Sequence, residues 1–386
     1  MEPNSRVVGS DGSKLHYPPM SLIDEARGQL GELLMIGFSG MELSDETAAF
    51  FSQAGVGGAI LFGHNYESPG QVAELTNQIQ ECRTDLPLWV GVDHEGGRVQ
   101  RFKKPFTRIP DAEQISATAS PKLAFDLAEM MGKELKAVGV NVNFCPVADI
   151  MTNPKNPVIG PRSYGSSEEQ VSKMVTAMVR GHLVAGVQPV VKHFPGHGDT
   201  SVDSHFALPK IDTPLETLRE RELKPFVRAF KSRCSMVMTA HIVNPKLDPE
   251  RPATLSPKVL QDILRRELRY SKVVFSDDME MKAIADHFGA ADAPWMAVEA
   301  GCDILIYRSE AAGRKAFEAL NQALDAGKLK PETVLQAAAR SRTLKKETLV
   351  PYEAVAVQDV SRKVGIPEHQ ALVDKIIGPQ VAGSKP

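Results

Sequence analysis

The sequence lacks the features of disulfide-rich secreted proteins, membrane-spanning proteins and nucleic-acid-binding proteins. Its four cysteines are far apart and form no Cys-x-x-Cys pair, so we expect four buried thiols. The first 20 residues contain no apolar run of signal-peptide length, and no segment approaches the ~18 apolar residues of a membrane span. A balance of 45 Lys and Arg against 48 Asp and Glu excludes a strongly basic surface. We therefore expect a cytoplasmic monomer that binds a small ligand, with neither nucleic acid nor a membrane as its partner.

Short aliphatic runs alternate with longer amphipathic segments along most of the chain. Eight runs have the composition of strands: residues 33–38, 56–62, 88–92, 140–144, 190–193, 236–239, 273–275 and 303–307. Four intervening segments open on a hydroxyl side chain followed by proline, which is typical of a helix start: Ser68, Ser120, Thr213 and Ser256. Thr213 also has Glu216 three residues later, which predicts a reciprocal capping box. Repeated strand–helix units of this kind indicate a parallel sheet.

The number of units predicts the fold. Eight strand–helix units in about 310 residues are too many for a small doubly wound sheet and fit an α/β protein with a single-domain (β/α)8 barrel. We expect an N-terminal extension over residues 1–27, the barrel over residues 28–350, and a C-terminal helical tail with a frayed end over residues 351–386.

Polar residues follow strand after strand at the carboxyl end. They are Asp93 after the third run, Asp149 and Arg162 after the fourth, Lys192 and His193 closing the fifth, His241 after the sixth, and Asp277 and Asp278 after the seventh. In a barrel these strand ends converge on one mouth, where barrel enzymes build their active sites. The pattern therefore predicts an active site at that mouth.

The segment after the fifth run, residues 192–209, contains three histidines and two glycines. Asp203 and His205 are two residues apart, so they project to the same side of an extended segment. A carboxylate bonded to an imidazole fixes its tautomer and favours the protonated ring, which suits a histidine acid/base. Gly196 and Gly198 indicate a loop able to move.

Two other interpretations of this segment are open. Several of its side chains are competent metal ligands, namely His193, His197, Asp199, Asp203 and His205, but no established ligand spacing joins them. Lys192 at a strand end could alternatively form a Schiff base, which requires a neutral amine.

Asp277 is a candidate nucleophile because it directly follows an apolar strand and so points at the mouth. A carboxylate there can attack a sugar's anomeric carbon. Asp278 is the better candidate for a helix N-cap, although the residues alone leave the two assignments open. Met281 has two possible roles: it is either a core residue, or its thioether packs against an apolar sugar face.

Four motifs carry a family resemblance: VDHEGGRVQRF from residue 92, PRSYG from residue 161, KHFPGHGDTSVDSH from residue 192 and FSDDMEM from residue 275. Through them, residues 28–350 resemble glycoside hydrolase family 3, in the β-N-acetylglucosaminidase branch that recycles bacterial cell wall. The resemblance implies a retaining hydrolase without cofactor or metal.

The same resemblance implies residue roles. Asp277 falls on the nucleophile, and His205, paired with Asp203, falls on the acid/base. The residues that match the sugar-binding positions are Asp93, Arg101, Arg162, Lys192 and His193.

The expected function is that of an exo-β-N-acetylglucosaminidase that removes non-reducing terminal GlcNAc from muropeptides such as GlcNAc-1,6-anhydroMurNAc. A related phosphorylase is the main alternative, because phosphate can replace water where the second carboxylate is absent. A metal-dependent barrel hydrolase and a non-catalytic sugar-binding module are more remote alternatives.

Overall fold

The computed structural model describes residues 21–200 and 208–378. Eight parallel strands form a closed barrel and pair in chain order, with the last strand hydrogen-bonded to the first. They are β1 (Leu34–Ile36), β2 (Gly58–Leu61), β3 (Trp89–Val92), β6 (Val142–Asn143), β7 (Gln188–Phe194), β8 (Met236–Thr239), β9 (Val273–Asp278) and β10 (Ile304–Tyr307). A short antiparallel hairpin of β4 (His94–Gly96) and β5 (Val99–Gln100) follows β3. The (β/α)8 barrel prediction is confirmed.

Helices surround the barrel. They are α1 (Leu22–Arg27), α2 (Asp45–Ala54), α3 (Pro69–Glu81), α4 (Ala112–Ala117), α5 (Pro121–Ala137), α6 (Glu168–Ala185), α7 (Leu215–Glu220), α8 (Leu223–Lys231), a π-helix (Lys258–Glu267), α9 (Lys282–Ala300), α10 (Glu310–Asp325), α11 (Pro331–Thr348) and α12 (Pro367–Ile377). Short 3-10 turns occupy Leu30–Leu33, Gly63–Asn65, Gly160–Arg162, Ala253–Leu255 and Val357–Arg362. No helix of the described ranges is long and apolar enough to cross a bilayer.

Large apolar side chains fill the barrel interior. Phe144 and Phe275 meet edge to face, with ring centroids 5.7 Å apart. A Cβ at Gly91 would lie 2.9 Å from the Phe144 ring, so glycine leaves the space that this ring occupies. Burial of such side chains contributes roughly 1.5–3 kcal/mol each. A larger apolar layer between the strands and the surrounding helices adds to this stabilisation.

Buried charges close the amino end of the barrel, opposite the mouth. Lys345 on α11 is 0% exposed; its Nζ lies 2.7 Å from Glu32 Oε1 and donates a 2.8 Å hydrogen bond to the carbonyl of Gly57. Ser341 donates to Glu32 and accepts a 3.0 Å hydrogen bond from the indole of Trp89. This paired cluster fixes α11 against the strand starts.

Three of the four predicted helix starts carry the expected cap. Ser68 and Ser120 accept hydrogen bonds from backbone N–H groups of α3 and α5, and Ser256 accepts one from Val259 N–H. The Thr213 capping box is wrong: α7 begins at Leu215 after Pro214, without a side-chain cap. The carbonyl of Thr213 instead accepts a hydrogen bond from Asn244.

The segments at either end of the described chain pack on the barrel helices. α1 lies against α11, and α12 lies against α5. Glu134 on α5 is 1% exposed, and its Oε1 accepts hydrogen bonds from Gly365 N–H and His369 Nδ1 at 2.8 and 2.6 Å. The first 20 residues and the predicted frayed end lie outside the described residues. All four cysteines are buried and free, as expected.

Candidate active site

The β4–β5 hairpin positions the first two polar residues of the mouth. Asp93 directly precedes β4 and Arg101 directly follows β5, so pairing of the two strands brings these side chains together. Arg101 Nη2 lies 3.6 Å from Asp93 Oδ2. Gly96 has a φ of 107°, and a Cβ there would lie 2.3 Å from the carbonyl oxygen of Pro110. The hairpin therefore requires glycine at this position.

Lys192 and Arg162 form a buried cluster with two carboxylates. Lys192 Nζ on β7 lies 2.7 Å from Asp93 Oδ1 and 2.6 Å from Glu95 Oε1. Arg162 donates two parallel hydrogen bonds of 2.8 Å to Glu95. Burial opposes ionisation of Glu95, but Arg162 and Lys192 outweigh it and hold the pKa of this carboxyl well below its usual range.

The state of Lys192 bears on its possible chemistry. Burial lowers the pKa of the amine, but Asp93 and Glu95 outweigh it and raise the pKa above its ordinary value. The side chain is therefore an ammonium with two carboxylate partners. A Schiff-base nucleophile must be neutral, so this environment argues against the aldolase interpretation.

A fully buried carboxylate organises the start of the loop after β7. Asp149 Oδ2 accepts a 2.6 Å hydrogen bond from His193 Nδ1, and Asp149 Oδ1 accepts one from the N–H of His197 at 2.7 Å. Burial raises the pKa of Asp149, but His193 and the backbone donor lower it below the ordinary value. The carboxylate thus fixes His193 with a proton on Nδ1 and leaves Nε2 for a ligand.

Asp277 and Asp278 end β9 in different environments. Asp277 is half-buried and its Oδ1 accepts the N–H of Asp278 at 2.8 Å. Burial raises its pKa, but His241, His193 and this N–H group lower it below the ordinary value, so Asp277 is a carboxylate at neutral pH. Burial raises the pKa of Asp278 to about 6.

Asp278 is not the predicted helix cap. Its Oδ1 accepts the N–H of Glu280 at 3.0 Å and its Oδ2 lies 2.9 Å from Arg308 Nε. α9 begins three residues later than a cap at Asp278 would allow, with Met281 as the residue before its first turn.

These groups share one cavity of about 430 Å³ at the carboxyl end of the barrel. The predicted site residues that line it are Asp93, Arg101, Arg162, Lys192, His193, Asp277 and Met281. Its floor consists of barrel side chains that include Ile60, Met238 and Ile306. A cavity of this size accommodates a small ligand. A larger cavity, of about 740 Å³, lies between α5 and residues 348–369, away from this cluster.

Asp203 and His205 lie outside the described residues, so their predicted pairing stays a prediction. Glu95 and His197 also line the cavity. The sequence indicated His197 only as a possible metal ligand, and it indicated no role of its own for Glu95. Both residues belong to the family motifs, but the spacing of residues within a motif does not show which way their side chains point. Within residues 21–200 and 208–378 no group of three or more metal-ligating side chains comes together.

Comparison with known proteins decides the family. Residues 23–344 match the model of the glycosyl hydrolase family 3 N terminal domain. The chain belongs to glycosyl hydrolase family 3. It is therefore a glycoside hydrolase, and the cavity at the mouth of its barrel is the candidate active site of a family 3 enzyme.

Relatives named as β-hexosaminidases are similar over most of the chain. The β-hexosaminidase A of Pseudoalteromonas piscicida is 36% identical over 86% of this chain, and the match spans 59% of that longer protein. The β-hexosaminidase of Idiomarina loihiensis is 36% identical over 72% of this chain and 84% of its own length.

Solved family 3 structures have the same fold. The β-N-acetylglucosaminidase from Paenibacillus sp. str. FPU-7 has a TM-score of 0.84 at 38% identity, covering 91% of this chain and 68% of that one. NagZ from Neisseria gonorrhoeae, solved with N-trifluoroacetyl-D-glucosamine, has a TM-score of 0.74 at 30% identity, covering 90% of this chain and 97% of that one.

Proposed function

We propose that the protein is a retaining exo-β-N-acetylglucosaminidase. One observation carries the proposal: the ionised carboxylate of Asp277 shares a cavity of about 430 Å³ with the Lys192, Arg162 and Asp93 cluster. Cations and carboxylates at fixed positions can bind the hydroxyls of one sugar and hold its anomeric carbon against Asp277. The β-hexosaminidase names of the relatives support the choice of an N-acetylhexosamine.

In the first step, Asp277 attacks the anomeric carbon, and the bond to the glycosidic oxygen breaks. His205, oriented by Asp203, gives its proton to that oxygen, so the aglycone leaves neutral. In the second step His205 takes a proton from water, the water oxygen bonds to the anomeric carbon, and Asp277 is released. Two displacements retain the β configuration. A histidine acid/base adds no negative charge near Asp277, unlike a second carboxylate.

We propose a muropeptide such as GlcNAc-1,6-anhydroMurNAc as the natural substrate, cleaved in cytoplasmic cell-wall recycling. Two arginines that line the cavity, Arg101 and Arg308, have side chains 36% and 48% exposed. Arg101 is paired with Asp93 and Arg308 with Asp278, but the exposed parts of both guanidinium groups can still donate hydrogen bonds to the carboxylate of a muramic-acid aglycone. Chitobiose has a neutral aglycone, so kcat/KM for the muropeptide disaccharide should exceed kcat/KM for chitobiose. Equal values would contradict the assignment of the aglycone.

The activity is tested with nitrophenyl β-N-acetylglucosaminide and nitrophenyl β-glucoside in matched initial-rate assays, each with EDTA or phosphate added. We expect cleavage of the N-acetyl substrate that resists EDTA, without formation of a sugar 1-phosphate. A sugar 1-phosphate would favour the phosphorylase, and loss of activity with EDTA would favour a metal-dependent hydrolase.

Asp277→Asn should lower kcat by roughly 10³-fold or more, whereas the adjacent Asp278→Asn should retain most activity. Equal losses would refute the nucleophile assignment.

A further inference from the structure

His197 lies in the wall of the active-site cavity and has no role in the steps above. Its side chain is 2% exposed, and its ring meets His193 edge to face with centroids 5.8 Å apart. Among the described residues, nothing forms a hydrogen bond with its Nε2. This nitrogen has less than 1 Å² of accessible surface. Buried polar atoms are nearly always paired, so an unpaired nitrogen on a residue that lines the cavity indicates a partner supplied by a bound ligand.

The contacts of the other ring nitrogen determine the tautomer. His197 Nδ1 lies 2.9 Å from Thr200 Oγ1, and Thr200 Oγ1 lies 3.1 Å from the carbonyl oxygen of His197. A hydroxyl has one proton to donate. If Thr200 donates it to the carbonyl and accepts from Nδ1–H, both contacts are hydrogen bonds. In the reverse arrangement the amide of Asn156 would still donate to the carbonyl at 2.8 Å and to Thr200 Oγ1 at 3.2 Å. The two oxygens, however, would face each other at 3.1 Å without a proton between them.

The ring is therefore protonated on Nδ1. Burial lowers the pKa of His197 to about 4, so the ring is neutral at neutral pH and Nε2 carries a lone pair. The N–H of His197 is held by Asp149 Oδ1, which fixes the position of the residue at the cavity wall. The result is a fixed, uncharged hydrogen-bond acceptor.

We propose that His197 is a sugar-binding and specificity-determining residue whose Nε2 accepts a hydrogen bond from a hydroxyl or acetamido N–H of the bound monosaccharide. The inference rests on the proposed function, since it takes the ligand to be a sugar. The cations of the site can only donate, and its carboxylates accept with a full charge. A neutral acceptor binds a donor without adding negative charge near Asp277. A buried acceptor also rejects analogues that lack the donor, because it would stay unpaired.

The tautomer is measured on the wild-type protein by long-range ¹⁵N–¹H NMR with ¹⁵N-histidine labelling, with His197 identified by loss of its signals in His197→Gln. His182 is the internal reference, since its Nδ1 lies 2.9 Å from the carbonyl of Met178 and must be the protonated nitrogen. We expect Nε2 of His197 to be unprotonated, like that of His182, and its shift to move when GlcNAc is added. A protonated Nε2, or a shift that GlcNAc leaves unchanged, would overturn the proposal.

Binding of GlcNAc by isothermal titration calorimetry tests the energetics. His197→Phe should weaken binding about tenfold or more, since a sugar donor loses its partner. His197→Gln retains an oxygen acceptor and should recover most of the affinity. For the nitrophenyl substrate, KM should rise more than kcat falls. Unchanged GlcNAc affinity in a folded His197→Phe would overturn the proposal, and the NMR result decides if that variant does not fold. A wild-type protein that neither binds GlcNAc nor cleaves the substrate would instead refute the proposed function.

Discussion

Glu95 is the carboxylate on which the buried cations of the active site depend. It is 7% exposed and pairs with both Arg162 and Lys192. Glu95→Gln keeps the shape of the side chain and one oxygen acceptor, but it leaves two buried cations with Asp93 as their remaining carboxylate partner in the cluster. Removing one member of a buried ion pair typically costs 3–5 kcal/mol. Because one acceptor remains, we expect the free energy of unfolding to fall by about 3 kcal/mol.

The loss should depend on pH. The folded pKa of Glu95 is lowered, so the unfolded chain takes up a proton at this residue below about pH 4.3 while the folded chain does not. The stabilisation by Glu95 is therefore complete above that pH and declines as the pH falls below it. The difference in unfolding free energy between wild type and Glu95→Gln should therefore be constant near pH 6 and smaller at about pH 3.

Urea unfolding at several pH values measures both effects, and nitrophenolate release measures activity. We expect kcat/KM to fall roughly 10²-fold, since displacement of Lys192 and Arg162 by about 1 Å has that effect. Glu169→Gln is the matched control, because Glu169 pairs with Lys173 at an exposed site, and it should change neither quantity measurably. The same unfolding free energy in wild type and Glu95→Gln at pH 7 would refute the reasoning.

Three further predictions concern other parts of the molecule. His205→Ala should slow hydrolysis of alkyl glycosides more than that of nitrophenyl glycosides, because only a poor leaving group needs a proton; equal losses measured by initial rates would indicate a structural role. Gly198→Ala places a Cβ 1.7 Å from the carbonyl oxygen of Ile150, so the loop must move, and thermal melting should show a loss of roughly 1–3 kcal/mol together with reduced activity. Lys345→Met should lower the unfolding free energy by about 2 kcal/mol, because Glu32 loses one of its two buried partners and keeps the other, Arg83. Lys345→Met should leave kcat unchanged. A large fall in kcat would contradict the inference that the amino-end cluster acts independently of the active-site cavity.

The sequence predicted the barrel because each of its eight strands coincides with a short aliphatic run bounded by turn residues. The strand bounds were less accurate. β9 continues through Asp277 and Asp278, which look like loop residues in the sequence. The Thr213 cap was wrong for a similar reason: a local pattern fits a cap, but the carbonyl of Thr213 is used by Asn244 from another part of the chain.

The site was predicted as a set of positions rather than as a set of contacts. A polar residue at the end of a parallel strand must lie near the mouth, which was enough for Asp93, Lys192 and Asp277. The bidentate contact between Glu95 and Arg162 joins residues 67 apart in sequence, and no local pattern encodes it. The acceptor state of His197 likewise depends on a hydroxyl whose orientation appears only in three dimensions.

The two ends of the barrel depend on different residues. Lys345, Glu32 and Trp89 lie at the amino end, and the groups that line the active-site cavity lie at the carboxyl end, with the apolar interior between them. For protein engineering, this arrangement allows two libraries to be made and screened separately. One would vary the amino end for heat tolerance, and the other would vary the cavity rim for preference among aglycones. Improved variants from the two screens should combine with nearly additive effects, since their positions share no contacts.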